Sequence, residues 1–314
     1  MSQAFILLLF DTEIMKTILA IDIGGSKMLA GLARGEGDAF EIVQSVGEPL
    51  PAEMTEDGIL REIDKLCAQL PLDQIDAVGV TIPGLADERV WIYAPFSGIQ
   101  NFQIMDALEA RFPGKPIAIE NDVNACAIAE GIFGACRGVR DFIWLTISNG
   151  IGGGIVLDGK IYRGALGFSG EFGHLNVVPD GELCGCGNRG CMEAECAGPG
   201  ISRYYARLTG SPEFVPASEI ARRAEAGKEA ALETYRREGR VLGHALANAS
   251  NILNPSKIII GGGVSRAWKL FYPTLEESFR KNIFHRANDS ILIEPTALGY
   301  EAALMGAVAL TLQK

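Results

Sequence analysis

The chain is short of positive charge. Its 28 Lys and Arg stand against 39 Asp and Glu, for a net charge of −11. That balance argues against a nucleic-acid partner, whose phosphates are gripped by Lys and Arg. It says little about small ligands, which are held by local charge. Long apolar runs are missing too. The stretch FILLLF (5–10) is too short to span a bilayer, and it lacks the basic start and small-residue cleavage site of a signal peptide. No membrane partner is therefore expected. No short-period repeat or low-complexity linker occurs. Histidine is scarce, at three residues. Cysteine is odd in number, at seven, and unevenly spaced, which is no disulfide framework. A cytoplasmic protein with reduced thiols is expected. Met15 precedes KTILAIDIGG, so residues 1–14 are expected to extend outside the folded core.

What is present is ordinary globular composition, 48% hydrophobic and 21% charged over 314 residues, enough for two domains. TILAIDIGG (17–25) and MLAGLAR (28–34) read as two strands joined by a glycine turn. EIVQSV (41–46) is a third strand. Residues 55–70 place Ile59, Ile63, Leu66 and Leu70 at helical spacing behind Thr55, a plausible N-cap. IDAVGVTIPG (75–84) is a buried strand and turn, PIAIEND (116–122) another strand, and 123–135 a helix. The pattern then restarts. Residues 141–162 read strand, glycine turn, strand; 227–254 is one long helix stopped by Pro255; KIIIGGG (257–263) and SILIEPTALG (290–299) are strands; 301–312 is a terminal helix. Strands alternating with helices argue for an α/β architecture, and the two similar openings suggest a weak internal duplication.

Three glycine clusters carry chemistry. DIGGSK (22–27) offers unobstructed backbone N–H groups, a hydroxyl at Ser26 and a cation at Lys27, which suits phosphate oxygens. It is not a Walker A loop, and a plain tight hairpin explains it equally well. Asp22 would sit near Mg²⁺ through water. TISNGIGGG (146–154) repeats the logic, and GGGVS (261–265) ends another strand. GCGNRG (185–190) matches a dinucleotide fingerprint by accident, since no strand feeds it. Asp122 ends a strand and opens a helix. It is either a helix cap or a base, and the helix dipole there favours its ionised form. Asn121 adds a donor and an acceptor beside it.

Residues 170–193, GEFGHLNVVPDGELCGCGNRGCME, crowd His174 with Cys184, Cys186 and Cys191. Three thiolates and one imidazole fit a closed tetrahedral site for structural Zn²⁺. A disulfide would leave one thiol over and conflict with the expected compartment. Such a site would immobilise Glu171 and Glu193, whose carboxylates suit sugar hydroxyls. Cys67, Cys126, Cys136 and Cys196 read as small buried hydrophobes. His244 and His285 lie in helical stretches without nearby thiols and read as structural.

DIGGSK, ENDVNA, GIGGG, GEFGH, CGCGNRGCME and IIIGGG, in this order, resemble the ROK family of sugar kinases and repressors from about residue 17 to the end. The resemblance implies a two-domain actin-like (RNase H-like) ATPase fold with an inter-domain cleft. The expected division is 1–122 and 123–299, the second with a zinc-binding insertion, and with the terminal helix (300–314) packing back on the first. It implies ATP on Asp22, Gly24, Gly25, Ser26, Lys27, Asn149, Gly150, Gly152, Gly262 and Gly263. Asp122 would be the catalytic base. Asn121, Glu171, His174, Glu193 and Gly84 would contact the sugar, and His174, Cys184, Cys186 and Cys191 would hold Zn²⁺. The implied activity is ATP- and Mg²⁺-dependent phosphorylation of a hexose at its 6-hydroxyl, glucose first, by a homodimer. N-acetylmannosamine, another N-acetylhexosamine or fructose is the alternative substrate, and a non-catalytic sugar sensor the alternative function. Repressors of the family carry a winged helix-turn-helix before the hairpin, whereas 16 residues precede Thr17 here. The sequence departs from the family in three places. Ser148-Asn149-Gly150 stands where kinases have a threonine-containing turn. APFSGIQNF (94–102) stands for the usual sugar-side segment, with Ser97 or Asn101 as substitutes. ECAGPG (195–200) replaces the commoner Ser-Gly ending.

Overall fold

The computed structural model describes residues 15–25, 27–51, 54–94, 98–284 and 288–313. Ser26, Ser97, His285 and the FILLLF stretch lie outside them.

Two five-stranded sheets share one connectivity. The first uses β1 (Lys16–Ile23), β2 (Lys27–Glu36), β3 (Ala39–Pro49), β4 (Ala77–Ile82) and, after α1 (Glu56–Cys67), a short sheet and α2 (Ile104–Arg111), the strand β8 (Ile117–Asn121). Its order is β3-β2-β1-β4-β8. The short three-stranded sheet between is β5 (Leu85–Ala86), β6 (Trp91–Tyr93) and β7 (Gln100–Phe102). The second large sheet uses β9 (Phe142–Ile147), β10 (Ile151–Leu157), β11 (Lys160–Ile161), β12 (Lys257–Gly261) and β13 (Leu292–Pro295), in the order β11-β10-β9-β12-β13. In each, an antiparallel three-strand meander leads and parallel strands follow on the other side of the first strand. The weak repeat in the sequence is thus a repeat in three dimensions, as the actin-like fold requires.

Local chemistry sets the elements. Thr55 Oγ1 accepts from Gly58 N at 3.1 Å and caps α1, as its sequence predicts. Ile59, Ile63 and Leu66 are buried on its inner face, each stabilising by roughly 1.5–3 kcal/mol. The long helix α7 (Glu229–Leu253) ends at Asn254 in the left-handed region, φ 46°, just ahead of Pro255. Around it pack α4 (Met192–Cys196), α5 (Gly198–Thr209), α6 (Ala217–Glu225) and α8 (Trp268–Asn282). His244 Nε2 lies 3.4 Å from Asn248 Nδ2, within α7. Among the described residues no helix is long and apolar enough to cross a membrane.

The terminal helix, α9 (Ala302–Leu310), is apolar all round and correspondingly buried. It lies on β1, β4 and β8 of the first sheet and against α3 (Asp122–Ile132). The contact is close: a Cβ at Gly79 of β4 would stand 1.8 Å from the Ala307 carbonyl oxygen. Helix α3 also touches β9 and β10, so it lies between the two sheets.

Candidate active site

Parallel strands bring their C-terminal ends together, which is where open α/β sheets place ligand sites. Asp22 pairs in register with Thr81, and Thr81 with Glu120, across β1, β4 and β8. Asp22 is buried, and its Oδ1 accepts from Thr81 Oγ1 at 2.7 Å. Gly24 N donates to the Lys27 carbonyl at 3.0 Å, closing the hairpin turn that sequence predicts. The cap of α3 is Asn121, not Asp122: Asn121 Oδ1 accepts from Val123 N and Asn124 N, each at 3.0 Å. Asn121 Nδ2 donates to the Gly84 carbonyl at 3.0 Å and to Asp122 Oδ1 at 3.0 Å. Asp122 Oδ1 also accepts from Val123 N at 2.9 Å. Both of these bonds fall on Oδ1.

The ionised Asp122 expected from the helix dipole is corrected here. Burial, then the nearby Asp22 charge, push its carboxyl up to about 7, against the hydrogen bonds from Val123 and Asn121. Burial likewise raises Asp22 to about 6, opposed by Thr81 and Lys27. Desolvation outweighs the dipole because the dipole is only a fractional charge. A carboxyl poised near 7 can take a proton at neutral pH.

The second sheet supplies the other wall. In GIGGG the glycines permit close packing: a Cβ at Gly152 would lie 2.8 Å from Val123 Cγ2, next to Asp122. The loop 148–150 sits beside the Gly261–Gly263 loop. Gly262, at φ 83°, packs on the end of β9, where a Cβ would come within 2.4 Å of the Ile147 carbonyl oxygen. Gly263 is exposed with Gly262, and Asn149 is exposed as well. Gly150 faces Glu193, whose Oε2 would lie 2.7 Å from a Cβ there. Glu193 Oε2 accepts from Ile151 N at 3.0 Å.

Glu193 adjoins a knot of four potential ligands, its Oε1 lying 4.0 Å from Cys184 Sγ. The donor atoms of His174, Cys184, Cys186 and Cys191 all lie within 4.8 Å of one another. Cys184 Sγ is 3.7 Å from His174 Nδ1, and Cys186 Sγ is 3.6 Å from Cys191 Sγ. Tetrahedral ligands at about 2.3 Å from Zn²⁺ would stand about 3.8 Å apart, so the donor set fits. A 3-10 turn (Phe172–His174) presents His174, Cys191 caps the start of α4, and Cys184 and Cys186 lie in the loop between. Nδ1 of His174 faces the thiols, whereas Nε2 lies 3.8 Å from Glu171 Oε2 on the exposed side. The Asn188 N–H lowers the Cys186 thiol to about 7, whereas burial raises Cys191 to about 12.

The sequence matches the ROK family over residues 18–314. The chain belongs to the ROK family. It is 32% identical to a glucokinase of Streptomyces coelicolor, over 93% of this chain and 96% of that one. A glucokinase of Thermotoga maritima is 31% identical over 93% and 96%. Among solved structures, a ROK glucokinase from Streptomyces griseus in complex with glucose and AMPPNP superposes with a TM-score of 0.79 at 32% identity, covering 94% of this chain and 98% of that one.

Sequence reasoning about this ROK chain missed several polar anchors. Glu195 is buried; its Oε1 accepts from Glu182 N at 2.7 Å and its Oε2 pairs with Arg237. It ties the cysteine loop to α7. Glu130 is buried in α3 and accepts from Thr296 Oγ1 (2.8 Å), Ala135 N (2.9 Å) and Ala297 N (3.2 Å), joining the end of α3 to the segment before α9. Glu120 is bonded to Arg163. The signal for all three was an acidic residue inside an apolar run, which needs a partner that only the fold can supply.

Proposed function

We propose that this chain transfers the terminal phosphoryl group of ATP to the 6-hydroxyl of a hexose, with glucose as the first substrate. The chain is an ATP-dependent sugar kinase by its ROK membership and its glucokinase relatives. The substrate and the residue roles rest on one observation. A carboxyl raised to about 7, Asp122, stands next to Val123, which packs on Gly152; the adjoining Ile151 N–H holds Glu193 beside the Cys/His knot. A proton acceptor, a glycine nucleotide loop and a rigid acidic cap therefore adjoin one another.

In this arrangement Asp122 Oδ2 orients the sugar hydroxyl and takes its proton as the phosphoryl group arrives. Phosphoryl transfer asks mainly for position and charge neutralisation, so a modest base suffices. Asn121, fixed by the Gly84 carbonyl, with Glu171, His174 and Glu193, would bind the remaining hydroxyls. Gly24, Gly25, Ser26 and Lys27 on one side, and Asn149, Gly150, Gly152, Gly262 and Gly263 on the other, would hold ATP. Magnesium, held by Asp22 through water and by the phosphates, would supply charge neutralisation. Zinc on His174, Cys184, Cys186 and Cys191 would supply order; four protein ligands leave it no open position for activating water. We divide the chain into 1–122 and 123–299, with α9 returning to the first lobe. The cytoplasm and a homodimer complete the proposal; light scattering measures the latter.

An ADP-release assay over glucose, mannose, fructose, N-acetylglucosamine and N-acetylmannosamine tests it. Turnover with highest kcat/KM for glucose is expected. Fastest turnover on N-acetylmannosamine would move the substrate to the amino sugars, as the atypical APFSGIQNF segment allows. Sugar binding without turnover on any of them would leave a sensor.

A further inference from the structure

We propose that Arg163 is a positioning residue of the acceptor site, acting through Glu120 to hold the sugar-side turn in register with Asp122; this rests on the kinase function proposed above. Glu120 is the penultimate residue of β8 and is buried. Its two oxygens do different work. Oε1 accepts from Asn121 N at 3.0 Å and from Asn124 Nδ2 at 3.1 Å, so it grips the chain on both sides of Asp122. Oε2 accepts from Arg163 Nε at 3.0 Å and also from Nη2. The guanidinium thus meets a single carboxylate oxygen with two donors, a charge-assisted contact among the stronger kinds of hydrogen bond.

Arg163 follows β11 of the second sheet and begins the segment that runs to Glu171 and His174. That segment is closed on itself. Ser169 N donates to the Arg163 carbonyl at 3.2 Å, and Phe172 N to the Gly170 carbonyl at 2.6 Å. It also approaches the first lobe a second time: a Cβ at Gly167 would lie 3.0 Å from Leu85 Cδ1, and Leu85 follows Gly84, whose carbonyl fixes Asn121. One buried carboxylate is therefore bonded to the flanks of the base and to the root of the turn carrying the sugar-side acid and imidazole. Neither end needs Arg163 in order to fold, because β8, α3 and β11 are set by their own ladders and helix bonds. The distance between the two halves of the pocket does need it. Truncating the arginine would leave the Glu120 charge short of its partner and let the turn drift from Asp122.

The test is a cycle of Glu120→Gln, Arg163→Met and the double variant, with Arg163→Lys as the conservative control, on the zinc-loaded full chain. Arg163→Met is expected to raise the glucose KM about tenfold while the ATP KM stays within about twofold, and the double variant is expected to be no worse than Arg163→Met. Arg163→Lys should recover part of the loss, having the charge without the fork. Hydrogen exchange over 163–174 should speed up in Arg163→Met. Additive effects in the cycle overturn the proposal. So do equal rises in both KM values accompanied by lower zinc content and Tm, or unchanged exchange over 163–174. If the wild type phosphorylates none of the sugars tried, the kinase function fails, and exchange over 163–174 still decides whether Arg163 holds the turn.

Discussion

Glu193 Oε2 accepts a hydrogen bond from the backbone N–H of Ile151 at 3.0 Å, joining the cysteine-rich cap to the glycine loop of the second sheet. Under the proposed roles, sugar-side and nucleotide-side elements would share one carboxylate. Glu193→Ala is expected to raise the sugar KM roughly 10- to 100-fold and the ATP KM about three- to tenfold. Glu193→Gln retains an acceptor for Ile151 N, so it should damage sugar binding alone. Steady-state kinetics in both substrates checks this; an unchanged ATP KM in Glu193→Ala would show the bond to be incidental.

Asp122→Asn should lower kcat by about 10²–10⁴ and leave the sugar Kd near the wild-type value, as calorimetry would read. It should also stabilise the protein. A carboxyl near 7 in the folded chain, against 3.8 in the ordinary state, binds protons more readily when folded. Stability therefore falls as pH rises through that window, and the penalty is complete above 7. The gain in the variant is expected to be on the order of 1–2 kcal/mol at pH 8, after allowing for solvent, and to shrink as pH falls from 7 towards 4. Thermal melts across pH measure it.

The acidic limb of the pH–rate profile follows from the same pair. Burial raises Asp22 to about 6, and burial together with the Asp22 charge raises Asp122 to about 7. With the deprotonated pair required, kcat/KM should rise with pH and level off above about 7. Thr81→Val removes the 2.7 Å hydrogen bond that lowers Asp22, so it should move the limb to higher pH.

Cys186→Ser should reduce zinc from about one ion per chain to below about half, by elemental analysis, and weaken sugar binding with it. Strong chelators should lower Tm in the wild type and have less effect in the variant. Stoichiometric metal surviving the change would place the ligands elsewhere.

Gly79→Ala should destabilise the chain by about 2–4 kcal/mol, since the new methyl would stand 1.8 Å from the Ala307 carbonyl oxygen. Denaturant titration reads this. A neutral result would mean that α9 does not lie on β4 in solution.

Local sequence determined much of this protein. Thr55 and the Ile59–Ile63–Leu66 spacing specify α1, and DIGGSK specifies its hairpin turn. CGCGNRGCME with GEFGH specifies the donor knot, because its members lie close along the chain. These features depend on neighbours within a few residues. The tertiary structure decided what depends on distant ones. Asn121 rather than Asp122 caps α3, since the turn at Gly84 fixes the amide. Asp122 sits near 7 rather than ionised, because burial and Asp22, 100 positions away in sequence, outweigh the helix dipole. Glu120, Glu130 and Glu195 found partners at Arg163, Thr296 and Arg237. Burial and charge pairing are properties of the packed interior, and no stretch of sequence read alone contains them.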